Sequence, residues 1–344
     1  MKALFVADGS PEIGTGHIVR CLSLLMELRK RGHACYWVLK ETTPSLVDQI
    51  RRVANGVTCV DRDLSHDEVW EFVLNCIRDQ EIDFAVSDHY STTLRHFEAI
   101  LKTGSRLLIV DDIADRQYTG NLLLNPNNDN TAVYQGRTIR MDRFMLGPKF
   151  ALLKPEFADL EERPQYRDQI RRILLTMGGA DRHNLTLEVL KAILPIAEGW
   201  AIDVVLGPCY PHAESLRLLS EKAPRTVVLH QGVTSLLSLM RMAGLMICAA
   251  GSTVWEGCRT GLPMVIIQSA DNQNLVVDQL VRSRAAVFLG RREAISEALI
   301  RDTCRRVMQD VQEQRRLSDA CRGLVDGRGA ERVVLEMEHF FRVN

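Results

Sequence analysis

A short apolar run that ends in a glycine-containing loop and then a helix opens this chain, and the same pattern returns past its middle. That repeat limits the fold more than any other feature. Ala3-Leu4-Phe5-Val6 reads as a buried strand, and residues 18–28 carry apolar side chains at helical spacing. Between them lies Ala7-Asp8-Gly9-Ser10-Pro11-Glu12-Ile13-Gly14-Thr15-Gly16-His17. Gly14 and Gly16 reach backbone angles closed to other residues and let a ligand approach the chain. The helix start offers unpaired N–H groups and a partial positive charge, which suits phosphate or another anion. His17 stands at that start and is the one basic group of the loop that titrates near neutral pH. A tight turn followed by a capping or surface histidine fits the same residues.

Further strands are expected at residues 34–39, 57–60, 84–87 and 106–110, with helical segments at 44–53 and 67–78. Such alternation predicts a parallel sheet with helices on both faces. Ligands in such sheets bind at the carboxyl ends of the strands. Three polar clusters fall there: the loop from Gly14 to His17, Asp88-His89-Tyr90, and Asp111-Asp112. Each has a second reading. Asp88 and His89 would pair with each other, Tyr90 would be a half-buried aromatic, and Asp111-Asp112 would cap a turn or helix. Nothing in the spacing of Asp and His converges on a metal, so none is expected. Residues 121–130 read as a strand running into a polar turn.

The charge-rich stretch 155–170, with Pro155 and Pro164, is the expected linker. It separates a first domain, 1–154, from a second, 171–328. The helix at 329–344 is expected to pack back on the first domain. The second domain repeats the opening. A strand at 172–177 leads to Gly178-Gly179-Ala180-Asp181 and a helix at 184–194. After strands at 201–207, 226–230 and 245–250 comes a second loop, Gly251-Ser252-Thr253, at another helix start. These loops offer N–H groups and hydroxyls to an anion, with Gly178, Gly179, Gly251, Ser252 and Thr253 as the contacts. Glu256, about one turn on, is a natural acceptor for two ribose hydroxyls. It also suits the helix dipole, worth about 0.3–1 kcal/mol. Asn272 and Gln273 fit sugar hydroxyl or amide groups, or helix capping. The expected class is therefore α/β and GT-B-like, with two Rossmann-like domains facing a cleft.

At 344 residues the chain has room for two domains. A net charge of −1 gives no electrostatic case for nucleic acid or a membrane surface. No apolar run approaches the roughly 18 residues of a membrane span. No basic leader with a cleavage site is apparent at the N-terminus. The nine Cys are scattered without a Cys-x-x-Cys pair, which fits a reducing cytoplasm.

Ile13-Gly14-Thr15-Gly16-His17-Ile18-Val19-Arg20-Cys21 resembles the N-terminal signature of the UDP-sugar hydrolases of pseudaminic acid synthesis. These are the UDP-diacetamido-trideoxy-altropyranose hydrolases, similar in architecture to MurG-type glycosyltransferases. Asp88-His89-Tyr90, Asp111-Asp112 and Leu146-Gly147-Pro148-Lys149-Phe150-Ala151-Leu152-Leu153 continue the match in order. So do Met177-Gly178-Gly179-Ala180-Asp181, Ala250-Gly251-Ser252-Thr253-Val254-Trp255-Glu256 and Ala270-Asp271-Asn272-Gln273. Two places depart from the pattern. Val6 stands where the family usually has Arg, two residues before Asp8, and Ser91 stands where Gly is frequent.

The resemblance implies attack of water at the anomeric carbon of a UDP-sugar, with inversion and release of UDP. It maps the general base onto His17 and substrate contacts onto Tyr90 and Asn272. It maps nucleotide contacts onto the stretch from Gly251 to Glu256. Asp8 is expected to hold the imidazole or the water. No cofactor is expected, and the only partner is the small-molecule UDP-sugar. The freed sugar would feed nonulosonic acid synthesis for surface or flagellar glycans. A MurG-like glycosyltransferase and a non-catalytic UDP-sugar-binding protein are the alternatives.

Overall fold

The computed structural model describes residues 1–9, 15–40, 42–61, 63–160, 169–179, 181–207, 210–223 and 227–343. Gly14 and residues 161–168, half of the expected linker, lie outside the described residues. The chain divides into two compact units, Met1–Ala158 with Gly327–Asn344, and Asp159–Asp326.

In the first unit β1 (Lys2–Ala7), α1 (Gly16–Lys30), β2 (Ala34–Leu39), α2 (Pro44–Val53), β3 (Gly56–Cys59) and α3 (His66–Asp79) follow in turn. Next come β4 (Phe84–Asp88), α4 (Leu94–Lys102), β5 (Arg106–Val110), β6 (Tyr118–Asn125), β7 (Thr138–Leu146) and α5 (Pro155–Ala158). The strands form one parallel sheet in the order β3-β2-β1-β4-β5-β6-β7. Central strands covered on both faces read as unbroken apolar runs, as Ala3 to Ala7 does. The order reverses direction between β1 and β4, where Ala7 pairs with Asp88. Such a switch point is where open α/β sheets bind ligands. β7 is an edge strand whose Arg140, Asp142 and Arg143 lie in its less buried part, so no apolar run announces it.

The second unit contains β8 (Arg172–Thr176), α6 (Leu185–Ile193), β9 (Ala201–Val205), α7 (Ala213–Lys222), β10 (Val227–His230), α8 (Leu237–Met242) and β11 (Leu245–Ala249). Then follow α9 (Thr253–Thr260), β12 (Met264–Gln268), α10 (Asn274–Arg282), β13 (Val287–Arg291), α11 (Glu297–Gln309) and α12 (Val311–Leu324). Its sheet order, β10-β9-β8-β11-β12-β13, repeats that of the first six strands of the other sheet. α7 buries only Leu216, which leaves no helical period to read.

The chain ends with α13 (Gly329–Val343), which belongs to the first unit. Its Val333, Val334 and Met337 join Leu24, Leu25 and Leu28 of α1 in one core. A Cβ on Gly329 would lie 2.1 Å from the Ala151 carbonyl oxygen, so the helix starts in backbone contact with that turn. Arg332 donates to the Lys149 carbonyl at 2.8 Å, and Glu338 pairs with His33 at 2.8 Å and Arg31 at 3.4 Å.

Candidate active site

α1 begins at the carboxyl end of β1 with Gly16, and the Thr15 side chain does not cap it. Its first turn holds no acidic residue. His17 and Arg20 are three residues apart and share one helix face. That face meets Asp88, the last residue of β4, which is 1% exposed.

His17 Nδ1 lies 2.7 Å from Asp88 Oδ1. Arg20 Nη2 also lies 2.9 Å from Nδ1, but a lone pair there would face those of the Asp88 carboxylate at the shorter distance, so the proton is assigned to Nδ1, which donates it to Asp88. Nε2 then keeps the free lone pair, which is the form a general base needs. Arg20 donates from Nε to Asp88 Oδ2 at 2.6 Å and from Nη2 to Oδ1 at 2.5 Å. Its Nη1 reaches Asp112 Oδ2 at 3.1 Å. Cys21 Sγ donates to Asp88 Oδ2 at 3.3 Å. Burial pushes the Asp88 carboxyl up, but the Arg20 guanidinium and then His17 outweigh it and hold it well below the usual carboxylate range. Burial and the Asp88 charge push the Cys21 thiol well up, so it stays a donor.

Tyr90 donates to Asp112 Oδ2 at 3.0 Å and sets its ring edge-to-face on His17, with centroids 4.6 Å apart. His17, Asp88, Tyr90 and Asp112 line one cavity with His89 and Arg116. The Arg116 guanidinium holds the loop that carries Tyr90. Its Nη1 donates to the carbonyls of His89, Tyr90 and Thr92 at 3.2, 2.7 and 3.0 Å.

The carboxylate at the His17 imidazole is thus Asp88, and the expectation that Asp8 holds that imidazole is corrected. Asp8 Oδ1 accepts the Lys40 N–H at 2.7 Å, and its Oδ2 lies 2.9 Å from His89 Nε2. Asp88 and His89 therefore do not pair with each other. They follow one another along the end of β4, where successive side chains point to opposite faces. Asp111 and Asp112 also part. Asp112 faces the cavity's Arg20 and Tyr90. Asp111 accepts from Tyr134 at 2.7 Å, Tyr118 at 2.9 Å and the Ala114 N–H at 2.9 Å, which makes it a turn and core residue.

In the second unit the two expected anion loops differ. Asp181 takes the Leu185 and Thr186 N–H groups at 2.9 and 2.8 Å, so the start of α6 is already capped by a carboxylate. A Cβ on Gly207 would lie 2.3 and 2.2 Å from the Gly178 and Gly179 carbonyl oxygens, so the close approach requires glycine at 207, while Gly178 takes a φ of +85° with open space at its Cβ position. At α9, Ser252 is the N-cap without a side-chain bond to the helix. Ser252 is exposed, while Gly251, Thr253 and Glu256 are half-buried. Asn272 is exposed on the turn before α10. Gln273 folds back instead: its Oε1 accepts the Ser269 N–H at 2.8 Å and its Nε2 donates to Ser269 Oγ at 3.0 Å.

Arg20, Asp88 and Asp112 are the residues that the choice of His17, Asp8 and Tyr90 left out. Asp88 and Asp112 are marked by their polar clusters at strand ends, and Arg20 by its spacing from His17 on one helix face. Among the described residues no group of His, Cys, Asp and Glu converges as a metal cluster. No helix among them is long and apolar enough to cross a membrane, and each of the eight described cysteines is free.

No family model matches the chain. It is 25% identical over 342 residues to the spore coat polysaccharide biosynthesis protein SpsG of Bacillus subtilis, which covers 97% of each chain. It is 27% identical over 258 residues to the UDP-2,4-diacetamido-2,4,6-trideoxy-beta-L-altropyranose hydrolase of Campylobacter jejuni. That match covers 74% of this chain and 87% of the hydrolase. MurG of Acinetobacter baumannii matches the structure with a TM-score of 0.68 at 14% identity, over 98% of this chain and 99% of MurG. The fold is GT-B. This GT-B chain has the Rossmann strand order in both sheets, with polar clusters at the carboxyl ends of the strands flanking each switch point.

Proposed function

We propose that this chain is a UDP-sugar-processing enzyme that hydrolyses the anomeric C–O bond of a UDP-linked diacetamido-trideoxy-altrose, with inversion and without a metal. The observation that carries the reading is the buried His17–Asp88 pair, whose acceptor-only carboxylate supports the His17 tautomer with the proton on Nδ1 and the lone pair on Nε2. The similarity to the Campylobacter jejuni hydrolase supports the substrate.

In this reading neutral His17 takes a proton from water on Nε2 as the water oxygen bonds to the anomeric carbon. The bond from that carbon to the β-phosphate oxygen breaks, and its electron pair leaves with UDP. Asp88 stabilises the imidazolium that forms. Arg20 keeps Asp88 ionised, and Tyr90 holds the imidazole by its ring edge. The second unit takes the nucleotide. The uncapped start of α9 and the hydroxyls of Ser252 and Thr253 suit the charge that grows on the leaving diphosphate. Glu256 is assigned to the ribose and Asn272 to the substrate. The product would serve nonulosonic acid synthesis for surface glycans, flagellin among them.

Incubation of that UDP-sugar with the protein in heavy-oxygen water, with chelator and no acceptor, tests the reaction. Label on C1 of the released sugar is expected, and label on phosphate would place the break at P–O instead. His17→Asn is expected to lower kcat by about 10²–10⁴-fold with UDP affinity retained. Undiminished turnover in that variant would take His17 out of the role. The likeness to MurG favours a second reading, transfer of the sugar to an acceptor, which a strictly acceptor-dependent rate would establish.

A further inference from the structure

Ser91, which departs from the pattern the chain resembles, ends a second chain of hydrogen bonds in the first unit. It is exposed, and its Oγ lies 2.6 Å from His89 Nδ1. His89 Nε2 lies 2.9 Å from Asp8 Oδ2. Two groups of fixed role set the tautomer of that imidazole. The Ser91 backbone N–H, which only donates, meets Nδ1 at 3.1 Å, and the Asp8 carboxylate, which only accepts, faces Nε2. The His89 proton therefore sits on Nε2, and the Nδ1 lone pair is the acceptor for the Ser91 hydroxyl. A hydroxyl on an imidazole that a carboxylate orients is the arrangement of a serine nucleophile with its base. It is recognised by geometry and roles, not by sequence position.

His66 adds a donor on the other side of that hydroxyl. Trp70 Nε1 donates to His66 Nε2 at 3.1 Å, so neutral His66 carries its proton on Nδ1, 3.4 Å from Ser91 Oγ. Burial, the largest cause, pushes the His66 pKa down from its ordinary value, which favours the neutral form. An N–H beside the nucleophile can meet the oxygen of a tetrahedral intermediate one bond further on. His66 and His89 also line a cavity of about 60 Å3. Its apolar side is Val6, Val38, Val69 and Trp70, and Lys40 brings a cation to the lining. A few water molecules fill such a space, so it suits a short acyl chain such as acetyl and not a long one.

We propose that Ser91, His89 and Asp8 form a second catalytic site, one that hydrolyses short O-acyl esters. Ser91 Oγ bonds to the acyl carbon as its proton passes to His89 Nδ1. The bond from that carbon to the alcohol oxygen breaks, and the alcohol leaves with the proton from Nδ1. Water then attacks the acyl-serine and gives a proton to Nδ1. The carbon–Oγ bond breaks, the carboxylic acid leaves, and Ser91 takes the proton back. Asp8 holds the imidazole and stabilises its charge, while His66 Nδ1–H donates to the intermediate's oxygen. The acyl chain lies in the apolar cavity. This activity does not depend on the UDP-sugar reading.

The test treats the whole protein with a fluorophosphonate probe, whose phosphorus bonds to an activated serine oxygen as fluoride leaves. Mass spectrometry of the peptides then locates the label. Label is expected on Ser91, and is expected to be lost in His89→Gln. Hydrolysis of p-nitrophenyl acetate is expected to fall by about 10²–10⁴-fold in Ser91→Ala. A thermal transition that Ser91→Ala leaves in place separates that loss from misfolding. The wild-type protein is expected to cleave the acetate about tenfold faster than the butyrate, because the cavity limits the chain. Label on another residue, no label, or an ester-cleaving rate that survives Ser91→Ala overturns the second site and leaves the UDP-sugar reading intact.

Discussion

Asp88 takes the His17 Nδ1 proton, two bonds from Arg20 and one from the Cys21 thiol on a single buried carboxylate. Asn at this position keeps the shape and removes the charge. Arg20, with 12% of its side chain exposed, would then face only Asp112 among these carboxylates. Breaking a buried ion pair costs about 3–5 kcal/mol. Asp88→Asn is expected to lower the unfolding free energy by that order and to cut turnover as His17→Asn does. A loss well under about 1 kcal/mol, the scale of exposed pairs, would show that the pair carries little. His96 gives a pH dependence of its own. Its Nδ1 accepts the Thr93 N–H at 3.0 Å, and its ring stacks on Trp70 at 4.6 Å. Burial, then the His66 and Arg95 charges, push its pKa down from 6.5 to about 4. The unfolded chain therefore binds a proton between those values that the folded chain does not. The stability that neutral His96 contributes is complete above pH 6.5 and is lost as pH falls to about 4. Denaturant unfolding across that range is expected to show a steeper loss in the wild type than in His96→Phe. Equal slopes would remove His96 as the cause.

The link between β5 and β6 spans only residues 111–117, and it serves two purposes. Asp112 faces His17's cavity, and Arg116 reaches back to three carbonyls of the loop after β4. Arg116→Ala removes those bonds without touching His17 or Asp88. The expected result is faster amide exchange confined to residues around 89–92 and a lower rate of sugar release, because Tyr90 is no longer held in register. Exchange in β1 and β4 is expected to stay as in the wild type. If exchange at 89–92 is unchanged, the clamp is not what positions that loop. Arg116→Lys offers one ammonium where the fork had several donors, so it is expected to fall between the two.

At the scale of the molecule, the last helix completes the core of the first unit. Val333, Val334 and Met337 are fully buried there beside α1. The approach depends on Gly329, whose Cβ position lies 2.1 Å from the Ala151 oxygen and 2.7 Å from the Phe150 carbonyl carbon. Both are backbone atoms, which cannot rotate away as a side-chain tip does. Gly329→Ala is expected to cost about 1–3 kcal/mol of first-unit stability by overpacking. A thermal scan would show an earlier transition for that unit, with the transition of Asp159–Asp326 unmoved. An unchanged scan would mean that α13 can shift at no cost.

The α/β repeat was legible in the order of residues, because a strand covered on both faces and a helix with one apolar face leave local signatures. Edge strand β7 and helix α7 were not, since each buries too little to write a period. The placing of polar clusters at strand ends followed from the same local reasoning. The partners within them did not. Asp88 lies 71 residues from His17, and only the strand order, with β4 beside β1, brings its carboxylate to the start of α1. The same order sends Asp8 to Lys40 and His89. Asp181 and Gln273 show the same limit at short range: glycine and amide residues at a helix start read alike from sequence, and only the folded loop shows which N–H groups its own side chains already occupy. Local periodicity therefore determined the layers of this protein, while strand order decided which charges meet, because a hydrogen bond depends on distance in space and not along the chain.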